Sequence, residues 1–506
     1  MRNSIPIIAQ AVVHGDRPAL QDETGNHTYA DVLHGAQAVA SRLLGGRLDL
    51  EGACVAFMAP PGLPYLTALW GIWLSGGMAV PLCRSHPIPE IARVFADSEP
   101  THLLVHPAME QRLTGVALQH NLYVVRINRA MQTATQDLPV IAPERSAMIL
   151  YTSGTTSRPK GVVTTHNNIT AMVTPLVETW GVCADDILLH VLPLHHTHGI
   201  IAALLTPLWA GAKIVCLAGF DAREVWRQMA GSTLLMAVPT MYARLLQVWE
   251  EGSVSEKEQW AAGVRRMRLM ISGSAALPVS IFDRWREITG HRILERYGMT
   301  EIGLVLSNPL EGDRRPGFVG CPVPNVSVRL VDDAGSLIAT DGVPGELHVS
   351  GANVFREYWN RPADTRASFE GDWFRTGDIA ARDQGYYRIL GRMSVDIVKT
   401  GGYKVSALEV EEVLRLHPAI AACAVVGLED AEWGERVAAA VVLNSGTTLS
   451  LRDLRSWAKK RLASYKAPTR LECFEALPRN VMGKIKKPAV RDWLRNRAAD
   501  PTHSPH

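Results

Sequence analysis

Residues 151–161 read Tyr151-Thr152-Ser153-Gly154-Thr155-Thr156-Ser157-Arg158-Pro159-Lys160-Gly161. This stretch combines five aliphatic hydroxyl side chains with two glycines and two cations. The apolar residues 147–150 before it and the residues 162–165 after it predict two strands, so the stretch is predicted to be the loop between them. Glycine lets a backbone approach a ligand closely, and N–H groups, hydroxyls and Lys160 can bind negative charge. The composition therefore predicts a polyphosphate-binding loop rather than an ordinary polar hairpin.

A Walker-type phosphate loop is the nearest alternative for this stretch. That motif requires the pattern GxxxxGK[ST] followed by a helix. Here Lys160 precedes Gly161, six residues separate Gly154 from Gly161, and a strand-like segment follows. A kinase or ATPase of the Walker type is therefore disfavoured.

Length and composition limit the classes of protein that the chain can represent. It has 506 residues, more than one hydrophobic core usually accommodates, so two or more domains are expected. Its residues are 47% hydrophobic and 20% charged, which is typical of a globular protein. The formal net charge of +2 gives no indication of a nucleic-acid partner. No apolar run is long enough to span a bilayer and residues 1–6 lack a signal-peptide pattern, so we expect a cytoplasmic protein without a membrane span.

Residues that could bind a metal are present, but the chain does not space them as a metal site. The seven cysteines contain no CxxC pair and lie mostly in apolar segments, which predicts reduced core cysteines. His195, His196 and His198 are adjacent and should point in different directions, and no cysteine or carboxylate joins them at ligand spacing. We therefore expect neither a zinc site nor a disulfide framework.

Strand-like and helix-like segments alternate along the first part of the chain. Residues 54–58 and 78–82 predict strands, and residues 65–76 predict a helix between them. Such alternation predicts an α/β architecture with largely parallel sheets. Residues 268–278 predict a strand that runs into a small-residue turn, a place where α/β folds commonly admit ligands.

The segment Leu294–Glu301 has side chains that suit a nucleotide and a metal ion. Tyr297 offers a ring that can stack on adenine, and Thr300 offers a hydroxyl to the α-phosphate. Glu301 offers a carboxylate to Mg²⁺, a hard cation that prefers oxygen ligands. This motif is weak alone, but the hydroxyl-rich loop that precedes it makes the combination specific.

Two further charged residues precede a predicted domain boundary. Asp378 can accept hydrogen bonds from both ribose hydroxyls, although an aspartate in a turn usually caps the local backbone. Arg392 can reach the ribose or a phosphate. After it, predicted helices at 409–416 and 454–462 and predicted strands at 420–427 and 437–443 indicate a small α+β domain.

These motifs, in this order, resemble those of the adenylate-forming superfamily, which includes acyl-CoA synthetases, luciferases and peptide-synthetase adenylation domains. The resemblance implies a large N-terminal domain with parallel-rich sheets sandwiched by helices, and a small mobile C-terminal domain. The implied boundaries are 1–392 for the adenylation domain, 393–394 for a hinge, 395–497 for the mobile domain and 498–506 for a tail. The implied ATP- or AMP-binding residues are Thr152, Ser153, Gly154, Thr155, Thr156, Lys160, Ser274, Ala275, Glu295, Tyr297, Gly298, Asp378 and Arg392.

Several stretches are similar to the malonyl-CoA and methylmalonyl-CoA synthetases within this superfamily, among them 272–277, 294–303, 355–360 and 395–408. A dicarboxylate carries a second negative charge that must be paired inside the pocket, and an arginine can pair it bidentately. The resemblance gives this role to Arg296, with Arg244 as a second candidate; a structural salt bridge is the alternative for either. It also places His196 and His198 in the acid pocket.

The resemblance further implies a two-step reaction that uses ATP, Mg²⁺ and coenzyme A. Lys484, Thr300 and Glu301 are the implied catalytic residues, with Glu301 as the metal ligand. Lys486 and Lys487 fit a solvated basic loop. The implied residues of the hinge and the CoA tunnel are Ser394, Gly401, Gly402 and Lys404.

The residues leave alternatives open for the function. The chain could activate a medium-chain or aryl acid, or it could load the pantetheine of a carrier protein, whose thiol is the same as that of CoA. A nucleotide-binding regulator without catalysis is disfavoured, because Lys484, Glu301, Asp378 and Arg392 are all present. Oxidation of the luciferase type is disfavoured because no feature indicates a pocket for oxygen chemistry.

Overall fold

The computed structural model describes residues 5–152, 159–401, 403–430, 432–479 and 483–498. The chain divides into two compact units. Unit 1 comprises residues 1–328 and 349–374, and unit 2 comprises residues 329–348 and 375–506.

The α-helices begin and end at the following residues: α1 (Pro6–His14), α2 (Tyr29–Leu44), α3 (Leu63–Leu74), α4 (Ile88–Ser98), α5 (Pro107–Gln119), α6 (Ile127–Ala130), α7 (His166–Thr179), α8 (Thr206–Trp209), α9 (Ala222–Gln228), α10 (Pro239–Glu251), α11 (Val254–Val264), α12 (Val279–Thr289), α13 (Pro362–Ala367), α14 (Ala407–Arg415), α15 (Leu451–Lys459) and α16 (Lys487–Ala498). A π-helix spans His198–Leu205, and 3₁₀ turns span Met229–Gly231 and Ser464–Lys466.

The strands are β1 (Pro18–Asp22), β2 (Gly25–Thr28), β3 (Cys54–Met58), β4 (Met78–Pro81), β5 (His102–Val105), β6 (Tyr123–Arg126), β7 (Ser146–Thr152), β8 (Lys160–Thr165), β9 (Ile187–His190), β10 (Lys213–Cys216), β11 (Leu234–Ala237), β12 (Leu269–Ser272), β13 (Leu294–Met299), β14 (Gly303–Ser307), β15 (Cys321–Pro322), β16 (Ser327–Val331), β17 (Gly345–Ser350), β18 (Glu357–Tyr358), β19 (Phe369–Glu370), β20 (Trp373–Asp383), β21 (Tyr386–Arg392), β22 (Ile397–Thr400), β23 (Tyr403–Ser406), β24 (Ile420–Asp430), β25 (Gly434–Leu443) and β26 (Arg470–Cys473).

Unit 1 contains two large sheets. The nine-stranded sheet has the order β15-β14-β13-β12-β11-β9-β10-β1-β2, and its six central strands from β13 to β1 pair in parallel. The seven-stranded sheet has the order β18-β8-β7-β4-β3-β5-β6 and is parallel from β7 to β6. Antiparallel pairs extend both sheets at the edges, and β7 with β8 is one of them.

Successive residues of a strand pack against helices on opposite faces of each sheet. Leu188 of β9 belongs to a core that the two sheets share with α2, α3, α7 and the π-helix, whereas the next residue, Leu189, packs in a separate core with α9 to α12. In the other sheet, Val55 faces the shared core and Ala56 faces α4 and α5. This period of two is what a strand buried on both faces requires.

Unit 2 is built on a sheet of order β23-β22-β25-β24, with β26 beside β25. Val425 and neighbours on one face pack with α14 and α15, whereas Val426 packs on the other face with α16. Elsewhere in this unit β20 pairs with β21, and Asp378 lies directly opposite Arg392.

The sequence prediction of the fold class is confirmed, with parallel-rich sheets sandwiched by helices and a smaller C-terminal domain. The predicted strands at 54–58 and 78–82 are β3 and β4, and the predicted helix at 65–76 is α3. The hinge at 393–394 and the other domain boundaries stay predictions, and tail residues 499–506 lie outside the described residues. Among the described residues, none of the helices is long and apolar enough to cross a membrane.

Candidate active site

The hairpin of β7 and β8 holds the two ends of the hydroxyl-rich loop. Thr152 and Lys160 are cross-strand partners, and the Thr152 hydroxyl donates to the Lys160 carbonyl over 3.4 Å. The Lys160 ammonium lies 3.2 Å from Asp364 and 4.8 Å from the ring centroid of Tyr358. The predicted phosphate ligands Ser153, Gly154, Thr155 and Thr156 lie outside the described residues.

The carboxylate of Glu301 is held by the same tyrosine. Glu301 is buried, and its Oε1 accepts a hydrogen bond of 2.8 Å from the Tyr358 hydroxyl. Tyr358 is placed by β18, which pairs with β8 next to the hairpin. One oriented carboxylate, next in sequence to Thr300, fits Mg²⁺, which is usually bound by one or two carboxylates together with substrate phosphates.

The strand β13 carries three of the predicted nucleotide-binding residues. Glu295 is buried, and its Oε1 accepts from the Gly317 N–H over 3.1 Å. Tyr297 and Gly298 are partly buried near the end of the strand. A side chain at Gly298 would collide with the Gly303 carbonyl of β14, so close pairing of the two strands requires glycine there.

Arg296 is a buried cation without a carboxylate partner among the described residues. It is 4% exposed, and its Nε and Nη2 atoms are buried without a hydrogen-bond partner in the described part of the chain. Burial lowers the pKa of this guanidinium to about 9. Its guanidinium lies against Gly273, where an added Cβ would be 2.3 Å from Cζ. Glycine at 273 is therefore what makes room for this side chain.

Two other predicted residues lie beside Arg296. His198 is buried, and burial and the nearby charge of Arg296 hold its pKa well below the usual range. Ser274 has a positive φ of 69° and its Oγ lies 3.3 Å from His198 Nδ1. The structure therefore brings the strand-end turn of β12, the histidine segment and β13 to one place.

The histidine segment is uncharged at neutral pH. Burial, followed by the proximity of other histidines, lowers the pKa of His195 and lowers that of His196 to about 4. The π-helix that follows begins at His198, and π-helical turns are frequent at functional sites. A side chain at Gly199 would be 2.2 Å from the Pro193 carbonyl, so the tight entry into this helix requires glycine.

In unit 2, Asp378 and Arg392 form an ion pair across β20 and β21. Arg392 Nε donates to Asp378 Oδ1 over 2.8 Å, and its Nη2 donates to the Thr376 carbonyl over 3.0 Å. Asp378 is buried within a strand, which corrects the expectation of an aspartate in a turn. The pair presents one acidic and one basic group together, as the prediction of a ribose and phosphate site requires.

Lys484 and Lys487 lie in different environments although they are close in sequence. Lys484 is exposed and precedes Ile485, which forms an antiparallel bridge with Arg479. Lys487 is 8% exposed, and its Nζ lies 2.7 Å from both Asp396 and Glu411. The prediction that Lys487 belongs to a solvated basic loop is therefore wrong, because this side chain closes a buried ion cluster; Lys486 is exposed as expected.

The remaining predicted residues are spread over both units. Arg244 is exposed on α10 and Ala275 is exposed after β12. Ser394 is exposed in the turn before β22, Lys404 pairs with Asp333 over 2.6 Å, and Gly401 has a positive φ of 56°. Gly402 lies outside the described residues. The roles assigned to these residues stay predictions.

Sequence reasoning did not single out three features of these sites. Tyr358 lies in a stretch noted only for its family resemblance, and its contact with Glu301 depends on pairing of β18 with β8. Gly273 was read as part of a small-residue turn, without its contact to Arg296. The cluster of Asp396 and Glu411 with Lys487 joins positions that no sequence spacing connects.

This arrangement of layers and motif residues is the fold of adenylate-forming enzymes. The sequence profile of the family described as "AMP-binding enzyme" matches residues 8–359, and that of the "AMP-binding enzyme C-terminal domain" matches residues 409–484. The chain belongs to the AMP-binding enzyme family.

Curated relatives and a solved structure agree with this assignment. The mitochondrial malonate–CoA ligase ACSF3 of Xenopus laevis is 43% identical over 96% of this chain and 91% of its own. The malonate–CoA ligase of Arabidopsis thaliana is 38% identical over 95% and 87% of the two chains. The crystal structure of ATP-bound MatB from Rhodopseudomonas palustris superposes with a TM-score of 0.90 at 33% identity, covering 98% of this chain and 99% of that one. The resemblance inferred from the motifs is thus confirmed.

Proposed function

We propose that this chain is an AMP-forming acid–CoA ligase that activates malonate or methylmalonate. The substrate assignment depends on Arg296, a buried guanidinium with no carboxylate partner among the described residues. A buried charge is costly unless it is paired, so a ligand carboxylate is the partner that this site calls for. The malonate–CoA ligases among the relatives support the same substrate.

A dicarboxylic acid has two ends with different chemical needs. One carboxylate must remain reactive, while the other must be held and neutralised. Arg296 can hold the second carboxylate bidentately against Gly273. His196 and His198, uncharged at neutral pH, line the acid pocket without adding charge that would compete for the reacting carboxylate.

The first half-reaction joins the acid to AMP. The carboxylate oxygen attacks the α-phosphorus of ATP, the bond to the bridging oxygen breaks, and pyrophosphate leaves. Negative charge spreads over phosphoryl oxygens in such a step, so positioning and cations account for most of the catalysis. Residues 152–160 would hold the β- and γ-phosphates, and Thr300 would donate to the α-phosphate. Glu301, oriented by Tyr358, would hold Mg²⁺, whose charge would stabilise the phosphate oxygens. Lys484 bridges the carboxylate and the phosphate.

The second half-reaction transfers the acyl group to the thiol of coenzyme A. The sulfur attacks the acyl carbon, AMP leaves, and the thioester forms. Movement about Ser394 withdraws Lys484 and presents Gly401, Gly402 and Lys404 to the pantetheine. A glycine at 402 leaves room for this arm, because a side chain would obstruct the thiol.

ATP, Mg²⁺ and coenzyme A are the cofactors of this reaction, and a small carboxylic acid is its partner. A pantetheine carried on a protein is a second possible acceptor, and a medium-chain or aryl acid is the second candidate for the substrate. A cytoplasmic location also stays a prediction, since the Xenopus relative bears a mitochondrial name.

The test is pyrophosphate release with ATP, Mg²⁺ and CoA across acetate, malonate, methylmalonate, succinate and octanoate. We expect turnover selective for malonate or methylmalonate in the wild type. We expect Arg296→Ala to lose this selectivity and to gain turnover on monocarboxylates. Arg244→Ala is the matched control, since Arg244 is exposed. Turnover on octanoate that Arg296→Ala does not change would support acid–CoA ligation but refute the malonate assignment. Selectivity that depends on Arg244 would show that Arg244, not Arg296, binds the second carboxylate.

Lys484→Ala tests the mechanism separately. We expect it to abolish adenylate formation while thioester formation from preformed malonyl-adenylate is retained. Equal loss of both half-reactions would contradict the role given to Lys484.

A further inference from the structure

Three metal-ligating side chains converge in unit 1 beside His196, which the proposed function places in the acid pocket. Cys83 and His86 lie in the loop between β4 and α4, and His195 lies in the loop that follows β9. One ligand atom from each of the three lies within 4.8 Å of the other two. Since β4 and β9 belong to different sheets, packing of the two sheets brings the three side chains together.

The surroundings of these side chains suit a metal ion. Cys83 is 4% exposed, and its Sγ lies 3.2 Å from Ser85 Oγ. Burial alone would raise the pKa of this thiol, but hydrogen bonds from His86 and Ser85 hold it below its ordinary value. His195 Nε2 is buried and has no hydrogen-bond partner among the described residues. The cluster therefore offers a polarised sulfur and an imidazole nitrogen that the described part of the chain leaves unpaired.

A carboxylate lies behind one of the imidazoles. His86 Nδ1 is 3.4 Å from Glu90 Oε2, one helical turn later in the chain. Carboxylates in this position orient the histidine ligands of zinc sites and increase their basicity. His86 is also partly exposed, with a side-chain exposure of 29%, which gives an ion a route to the buried sulfur.

We propose that Cys83, His86 and His195 form a binding site for one Zn²⁺ ion or a cation of similar softness, with a fourth position left to water. A thiolate with two imidazoles suits Zn²⁺ and does not suit Mg²⁺, which takes oxygen ligands. Bonds of about 2.0 to 2.3 Å place tetrahedral ligand atoms roughly 3.5 Å apart, so binding requires the cluster to contract by about 1 Å at most.

Binding at this site has a consequence for the acid pocket. The rings of His195 and His196 have centroids 4.0 Å apart, and His196 is a predicted acid-binding residue. An ion that fixes His195 and adds positive charge beside His196 restricts the acid pocket. We therefore expect Zn²⁺ to inhibit ligation reversibly.

The test uses the full chain and the metal alone. Protein treated with a chelator is titrated with Zn²⁺ against a chromophoric chelator, and with Co²⁺, whose absorption reports thiolate coordination. We expect one tight site per chain, which excess Mg²⁺ does not displace. Cys83→Ala and His86→Gln should each weaken binding by about 100-fold or more. Cys216→Ala, the matched control at another buried cysteine, should bind as the wild type does.

A second measurement needs no variant. Zn²⁺ should protect Cys83 from alkylation, as read by mass spectrometry of its peptide, and leave alkylation of the exposed Cys183 and Cys473 unchanged. Binding that survives Cys83→Ala, or alkylation of Cys83 that Zn²⁺ does not slow, would overturn the proposal. Neither outcome depends on the substrate of the ligase, because both measurements are made without acid, ATP or CoA.

Discussion

Arg296 in unit 1 and Lys487 in unit 2 are both buried cations, yet their surroundings differ. Lys487 lies 2.7 Å from Asp396 and 2.7 Å from Glu411. Arg296, by contrast, has no carboxylate partner among the described residues. Burial lowers the pKa of Arg296 to about 9. Burial would lower that of Lys487 too, but Glu411 and Asp396 raise it above its ordinary value.

The difference separates a structural cation from a ligand-binding one. A buried charge that the protein pairs contributes to folding, and removing one partner leaves the others uncompensated. A buried charge that the described protein groups leave unpaired costs stability, and this cost is offset only when a ligand supplies the opposite charge. Variants of Lys487 and Arg296 test whether the two cations differ in this way.

The largest expected effect on stability comes from Lys487→Met. We expect this variant to lower the free energy of unfolding by about 3–5 kcal/mol at pH 7, because Asp396 and Glu411 remain buried after the charge of Lys487 is removed. Chemical denaturation measures the loss. Acid selectivity in the folded fraction should stay unchanged. A loss below about 1 kcal/mol would remove the contrast with Arg296.

Arg296→Leu should have the opposite pattern. The variant should lose about 2–5 kcal/mol of transition-state stabilisation for malonate, because one partner of a buried charge pair is lost. This loss appears as a lower second-order rate constant. The free energy of unfolding without substrate should rise by about 1–4 kcal/mol, since an unpaired buried charge is replaced by an apolar group. Steady-state kinetics and denaturation check both parts. Loss of stability and activity together would show that Arg296 has a structural role.

Lys487→Met should make stability depend on pH between 7 and 5, where Asp396 gives the wild type no such dependence. In the wild type, burial would raise the pKa of Asp396, but the charge and hydrogen bond of Lys487 hold it below the ordinary value of 3.8. That contribution is present above about pH 4 and is lost as the pH falls through the lowered pKa. In the variant, the buried carboxylate of Asp396 should titrate above its ordinary value, so stability should increase as the pH falls from 7 toward 5. Denaturation across this range, with wild type as the reference, measures the slope.

Neutralising the whole cluster should recover most of the stability. Adding Asp396→Asn and Glu411→Gln to Lys487→Met removes the uncompensated charges, and a neutral cluster of similar shape is often as stable as the ion cluster. We expect the triple variant to lie within about 1–2 kcal/mol of the wild type. Arg415, which lies 3.1 Å from Glu411, loses one partner in this variant and accounts for a remaining deficit.

The smallest expected effect concerns a buried anion. Tyr358→Phe removes the hydrogen bond that orients Glu301, which is worth about 1 kcal/mol. We expect the Mg²⁺ concentration for half-maximal activity to rise by roughly fivefold. Tyr29→Phe is the control, because it loses a comparable buried hydroxyl bond to Ala212 far from the predicted metal ligand in sequence. Equal Mg²⁺ dependence of the two variants would contradict the role of Tyr358.

The sequence predicted the elements that depend on local pattern. Short apolar runs predicted β3 and β4, and hydroxyls, glycines and cations between two strands predicted the loop that ends at Lys160. Lys487 was predicted wrongly, because a lysine among basic residues is usually solvated, and only packing of α16 against β24 buries it. The spacing of the cysteines did not predict the proposed zinc site. Its third ligand, His195, follows β9, which belongs to a different sheet from β4, the strand before Cys83 and His86.

The sequence by itself determined the fold class, the family and the identity of the chemically competent side chains, because these follow from local composition and motif order. Tertiary structure alone decided which of those side chains are buried and which have partners. That division arises because burial and pairing depend on contacts between elements far apart in the chain. The folded structure therefore distinguishes the two cations. Lys487 is neutralised by carboxylates of the protein, whereas Arg296 is proposed to be neutralised by a carboxylate of the ligand.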